Sequence, residues 1–314
     1  MLTAPDEDTH AGAPDTSVFD RATKCQQDDN ARMHYQHRYH AGNFADVFKH
    51  VLLVGLARAL NSKDRPWCYL ETHAGAGLYD LQDVAALKSA ESAEGISRIW
   101  EASSAPPLVQ QYLEIVRSMN EGGLLRCYPG SPVLVQHLTR PADRLLLCER
   151  VPAVADGLRA SVAGDGRVHV HARDGYEALA LLPPAEKRGL VLVDPPFERP
   201  DEFDACAQFL KQALHRFAGG VFAVWYPYKN RHLTERWLRR VQRETVREAL
   251  NLTLSVSRAT DGEMRSCGLL VVNPPFAFRA DAVAALSWLE PRLRQGAGHG
   301  QSVEAWPVSA RPRP

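Results

Sequence analysis

The strongest constraint on the fold is an alternation of short apolar runs with amphipathic stretches, which begins near residue 67 and continues almost to the C-terminus. The runs 67–72, 144–149, 168–172, 189–194, 219–226, 252–258 and 268–273 have the length and aliphatic content of buried strands. Helical patterns at 151–161, 175–182, 201–218, 231–248 and 280–293 separate most of them. Strands alternating with helices are joined by crossovers, so they build a mostly parallel sheet covered on both faces. The expected class is therefore α/β with seven strands.

The interval 73–143 between the first two strands is too long for a simple crossover. It holds a helical pattern at 107–119, a polar stretch at 83–104 and the turn sequence Tyr128-Pro129-Gly130-Ser131-Pro132. A small helical insertion is expected at about 79–127. Upstream, Asn43 is a plausible cap for a helix reaching about Asn61, with Val47, Val51, Val54 and Leu56 at helical spacing. Residues 1–32 lack apolar periodicity and read as a disordered extension. Met33 offers an alternative translation start, so that 33–305 forms the body and 306–314 a tail.

A chain of 314 residues, 45% hydrophobic, can bury a large core, and no apolar run is long enough to span a bilayer. No signal peptide is read at the start. The six cysteines include no CxxC pair and sit mostly in apolar stretches, as reduced core residues of a cytoplasmic protein do. His34, His37, His40 and His50 lack the carboxylate-rich partner a metal site needs, so no metal is expected. The net charge is zero but uneven: residues 1–32 hold seven acids against three bases, which leaves +4 on the remainder. That balance suits contact with a local RNA segment and argues against a broad non-specific binder.

Chemistry-bearing residues cluster just beyond the runs. The first ends in Glu71-Thr72-His73-Ala74-Gly75-Ala76-Gly77, whose glycines let backbone approach a ligand, although the third glycine of the dinucleotide fingerprint is missing. Glu149 ends the second run and can accept ribose hydroxyls, or can be a surface residue beside Arg150. Asp174, before Gly175, can receive an adenine amino group or cap a helix. Ser131 is either a cap before Pro132 or a ligand contact. The fourth run ends in Asp194-Pro195-Pro196-Phe197. A carboxylate with the Pro195 carbonyl beside it can bind both hydrogens of an exocyclic amine such as adenine N6. That concentrates the lone pair for in-line attack on a sulfonium methyl group. The prolines fix the acceptors, and Phe197 can stack on an extruded base. A second copy, Asn273-Pro274-Pro275-Phe276, follows the last run. A last strand that enters antiparallel would put this copy on the opposite sheet edge, so Asn273 is read as structural. The basic stretch 229–247 reads as an amphipathic surface helix that could also touch phosphates.

The chain resembles the RlmJ-type 23S ribosomal RNA adenine-N6 methyltransferases over about 33–305. The resemblance rests on Tyr35…His37…His40-Ala41-Gly42-Asn43-x-Ala45-Asp46-Val47-x-Lys49-His50, Thr72 to Gly77, Glu94-Gly95-Ile96-x-Arg98-Ile99-Trp100, Tyr128 to Pro132, Asp174-Gly175, Asp194-Pro195-Pro196, Trp225-Tyr226-Pro227 and Asn273-Pro274-Pro275. It implies a Rossmann-like class I methyltransferase domain with a helical insertion, using S-adenosyl-L-methionine on 23S ribosomal RNA, with no membrane or metal partner, and acting as a monomer. It further implies that His50, His73, Ser131, Glu149, Asp174, Gly175 and Asp194 contact the cofactor, with Asp194 also the catalytic acceptor. Tyr35, His37 and Lys49 would lie on the substrate side with Pro195 and Phe197. The chain departs from the family at Phe197 (usually Tyr), Glu71 (usually Asp) and Gln36 (usually Arg). The competing readings are a DNA adenine-N6 methyltransferase and a non-catalytic RNA-binding protein.

Overall fold

The computed structural model describes residues 37–258 and 263–307. The elements run, in chain order, α1 (Phe44–Asn61), β1 (Cys68–Glu71), β2 (Leu78–Asp80), α2 (Val84–Ser89), α3 (Pro107–Ser118), β3 (Cys127–Pro129), α4 (Ser131–Leu138), β4 (Arg144–Glu149), α5 (Pro152–Ser161) and β5 (Val168–Ala172). A 3-10 turn (Gly175–Leu181) precedes β6 (Gly189–Val193), α6 (Glu202–Arg216), β7 (Val221–Pro227), α7 (Arg231–Thr245), β8 (Ala249–Ser255), β9 (Ser266–Val272), α8 (Phe278–Leu293) and β10 (Gly300–Trp306).

The main sheet has eight strands in the order β10-β8-β9-β7-β6-β1-β4-β5. Neighbours from β5 through β4, β1 and β6 to β7 pair in parallel, and β9 enters antiparallel between β7 and β8. This is the expected α/β sheet with one strand more. The extra strand, β10, pairs antiparallel with β8 at the edge and ends in buried Trp306, which the sequence reading had placed in the tail. The sixth strand runs Ala249–Ser255 rather than 252–258, because its register against β9 starts at Ala249 opposite Val272. The interval after β1 holds helices and also a short antiparallel ladder, in which Leu78 pairs with Pro129 and Asp80 with Cys127.

Strand side chains alternate between two cores, as a period of two requires. Tyr69, Leu145, Leu147, Leu190 and Leu192 face α1, α3, α4 and α8, whereas Leu70, Leu146, Cys148, Val191 and Val193 face α6, α7 and the 3-10 turn. Helix α1 is buried almost all round, including the charged Asp46 and Lys49. A helix enclosed in this way carries polar groups inward only where they find partners. No helix among the described residues is long and apolar enough to cross a membrane.

Candidate active site

The site is built from the start of α1. The Asn43 side chain accepts from the Asp46 backbone N–H at 2.9 Å, which caps the helix and fixes its first turn. Asp46 and Lys49, three residues apart, then share one face. Lys49 Nζ lies 3.0 Å from Asp46 Oδ1 and 2.7 Å from Asp194 Oδ2. Asp46 Oδ2 accepts from the Gly42 backbone N–H at 3.0 Å and lies 2.9 Å from His37 Nε2. Close polar contacts thus connect His37, Asp46, Lys49 and Asp194, with Lys49 between the two carboxylates. Burial pushes the Asp46 carboxyl up, but His37 and Lys49 outweigh it and hold its pKa well below the usual value. Burial likewise opposes the Lys49 charge, and Asp194 and Asp46 outweigh it to hold that pKa well above the usual value.

Asp194 follows β6, whose five residues are all buried, so it sits at the carboxyl edge of the parallel sheet. Phe197 has φ +52°, a left-handed backbone that L-residues seldom adopt. Its ring packs 4.8 Å from Phe203 and 5.9 Å from Trp225. Asn273 lies at the opposite edge: its strand β9 runs antiparallel, and its side-chain amide donates to the carbonyls of Ala218 and Gly220 at 3.0 and 2.7 Å.

The loop after β1 wraps the same edge as Asp194. Gly75 and Gly77 have φ +66° and +82°. The Gly75 N–H donates to Glu149 Oε2 at 3.0 Å, and Glu149 Oε1 accepts from the Val151 N–H at 2.8 Å. Glu149 is therefore half-buried and ties the loop to β4, which is more than the surface reading allowed. Asp174 caps the 3-10 turn by accepting from the Tyr176 N–H at 2.9 Å. At Gly175 a Cβ would stand 2.2 Å from the Thr72 carbonyl oxygen, so this turn is pressed against the end of β1. His73 packs edge-on to Tyr176 at 5.3 Å, and burial lowers its pKa to about 4, leaving it neutral at pH 7.

Glu71 shares a face with Tyr69, two residues earlier, whose hydroxyl donates to Glu71 Oε2 at 3.0 Å. The Ser131 hydroxyl donates to Glu71 Oε1. Ser131 is thus the first residue of α4 and not its cap, which is Gly130. Burial raises the Glu71 pKa to about 8, opposed by the Ser131 hydrogen bond and assisted by the Asp194 charge. The sign of the linked stability is clear: a carboxyl whose folded pKa exceeds its unfolded value loses stability as pH rises from the unfolded value to about 8. Glu71→Gln keeps an acceptor for Ser131 and removes that loss. Its unfolding free energy, relative to the unsubstituted protein, should rise between pH 5 and 8 by up to about 1.4 kcal/mol per pH unit. Urea titrations at several pH values measure this, and a difference that does not vary with pH contradicts it.

The structure brings His50, His73, Ser131, Glu149, Asp174, Gly175 and Asp194 to one edge or to the helix starts facing it. Tyr35 lies outside the described residues. His50 Nδ1 lies 2.9 Å from the Tyr128 hydroxyl, itself 2.9 Å from that of Tyr112, while buried His50 Nε2 has no hydrogen-bond partner among the described residues. Burial, aided by Lys49, lowers the His50 pKa well below its usual value. A buried imidazole nitrogen without a partner among the described residues, on the helix that carries Asp46 and Lys49, suits a polar ligand. Sequence reasoning gave no role to Asp46, Tyr128, Tyr176 or Glu202. Spacing could have paired Asp46 with Lys49, but nothing local shows that the Tyr176 hydroxyl donates to Glu202 at 2.6 Å.

The comparisons agree with this architecture. The family described as ribosomal RNA large subunit methyltransferase D, RlmJ, matches residues 64–308. Ribosomal RNA large subunit methyltransferase J of Escherichia coli is 37% identical over 276 residues, which covers 87% of this chain and 98% of that protein. Its namesake in Haemophilus influenzae is 36% identical over 262 residues, covering 82% and 93%. A crystal structure of a Legionella pneumophila protein, 36% identical, superposes with a TM-score of 0.80 over 85% of this chain and 98% of that one. Matches of this extent, on a chain with Asp194 at the carboxyl edge of its parallel strands, show that the protein belongs to the RlmJ family.

Proposed function

We propose that the protein is an S-adenosyl-L-methionine-dependent methyltransferase that makes N6-methyladenine in 23S ribosomal RNA, acting as a cytoplasmic monomer. The observation that carries this reading is the placement of Asp194, held by Lys49 at 2.7 Å through one oxygen at the carboxyl edge of β6. Adenine N6 is a weak nucleophile because its lone pair is delocalised into the ring. Asp194 and the Pro195 carbonyl would each accept one amine hydrogen, which favours a pyramidal nitrogen and localises the lone pair. Lys49 stays protonated and holds the Asp194 carboxylate in place; it is a positioning group and transfers no proton in this scheme. Phe197, with Phe203 and Trp225 behind it, offers an aromatic face for the extruded base.

The cofactor, when bound, supplies the electrophilic sulfonium methyl. On the protein side, His50 Nε2 and Ser131 would provide polar contacts and Glu149 and Asp174 acceptors, while Gly175 would let its turn pack against Thr72 beside them. His73 stays neutral and adds no repulsion toward a cation. The test is incubation of the protein with labelled cofactor and equal nucleotide amounts of protein-free large-subunit RNA and duplex DNA. Label is expected on RNA, and label confined to DNA would assign the chemistry to the other nucleic acid.

A further inference from the structure

The segment 229–247 carries seven Lys or Arg residues and two Glu, in a chain whose formal net charge is zero. On α7 these charges are sorted. Arg231 and Arg239 pair with Glu235, and Arg240 pairs with Asp204 and Glu244. Arg236 and Arg243 are exposed and have no ion pair among the described residues. Seven residues apart, they lie two turns along one face, about 10 Å from each other. The opposite face is occupied: Thr234, Trp237, Leu238 and Val241 are buried, with Trp237 and Val241 in the core beside α6.

The position of this row matters as much as its charge. Strands β6 and β7 are parallel, so Pro227 at the end of β7 lies at the same sheet edge as Asp194. Helix α7 starts four residues later at Arg231 and runs from that edge. Aromatic contacts connect its buried face to the motif: Trp237 packs 5.6 Å from Phe203, which packs 4.8 Å from Phe197. A polynucleotide that presents one base at Asp194 must run its backbone away from this edge. The exposed arginines on α7 lie along such a route. A membrane surface fits less well, because an interfacial helix needs a free apolar face and that of α7 is buried.

We propose that the exposed face of α7, through Arg236 and Arg243, holds the phosphate backbone of the RNA strand flanking the target adenine. The inference rests on the reading of Asp194 as an RNA-directed site, and it concerns binding rather than chemistry. Neither arginine touches the Lys49–Asp194 pair, so each contributes to capture of the RNA and to its register.

The test compares the unsubstituted protein with Arg236→Gln/Arg243→Gln and Arg236→Lys/Arg243→Lys, using filter binding to protein-free large-subunit RNA across a salt series, with methyl transfer measured on the same RNA. The glutamine pair should raise Kd about tenfold and reduce the salt slope by about 1.4, or about 0.7 for each lost contact. The kcat at saturating RNA and the melting temperature should not change. The lysine pair should restore Kd and slope, since a phosphate contact tolerates a point charge. An unchanged Kd and slope in the glutamine pair, while the unsubstituted protein methylates RNA, overturns this surface and leaves the Asp194 reading intact. Arginine-dependent RNA binding without methyl transfer to RNA overturns the Asp194 reading and supports the surface. Loss of binding to phosphatidylserine vesicles with RNA binding intact would assign the face to a membrane and overturn the proposal.

Discussion

Asp194→Ala is expected to reduce kcat for methyl transfer by at least about 10²–10³-fold, the loss typical when a preorganised polar group at the reacting centre is removed. The change deletes the proposed acceptor for the amine and the partner that Lys49 holds at 2.7 Å. The matching change in the second motif, Asn273→Ala, should leave kcat within about threefold. Asn273 acts at the other edge of the sheet, where its amide binds two carbonyls and its backbone has φ +54°. Its replacement loses those bonds and puts alanine in a left-handed conformation, at a cost of about 1–3 kcal/mol in stability. Single-turnover transfer and thermal melting of both variants separate the two effects. Equal loss of kcat in two folded variants would mean that the motifs were assigned to the wrong edges.

The second large effect is expected at Lys49. Lys49→Met preserves the stem of the side chain and removes the charge between two carboxylates that are mostly out of water. Breaking a buried pair from one side leaves uncompensated charge, which costs about 3–5 kcal/mol. The pH dependence has a definite sign. Asp46 has a depressed folded pKa, so its contribution is present above the unfolded value and is lost as pH falls through the folded one. The unsubstituted protein should therefore exceed the variant most at neutral pH, with the gap narrowing on acidification as Asp46 protonates. Denaturant titrations at pH 7 and in mild acid measure the gap. A gap that widens on acidification would show that Lys49 does not stabilise the ionised carboxylates.

Most of the sheet was legible because burial on both faces leaves continuous apolar runs, and β4 and β5 occupy the expected residues. The edge strand β10 was not, since Gly300-Gln301-Ser302-Val303-Glu304 is polar and mostly exposed; an edge strand needs no apolar run. The ladder of β2 and β3 was hidden for a different reason. Its strands have three residues each and are separated by 46 intervening residues, so pairing depends on the helices packed between them.

At the site, the alternation of strand directions separated Asp194 from Asn273, which their spelling alone could not do. The choices left open at Ser131, Glu149 and Asp174 depended on partners distant in sequence. Ser131 donates to Glu71, 60 positions away, and Glu149 accepts from Gly75, 74 positions away. Asp174 caps its own turn, a local bond that the Asp-Gly sequence does suggest. The left-handed backbone at Phe197 carries no local signal, because the preceding prolines constrain φ only at their own positions.

The central claim is that Asp194 directs a methyl group to adenine N6 in ribosomal RNA. Nucleoside analysis by mass spectrometry of large-subunit RNA, after a single turnover with isotopically labelled cofactor, tests it most directly. Label should appear in N6-methyladenosine with the unsubstituted protein and be absent with Asp194→Ala; label in another nucleoside, or undiminished N6-methyladenosine from the variant, would contradict the account.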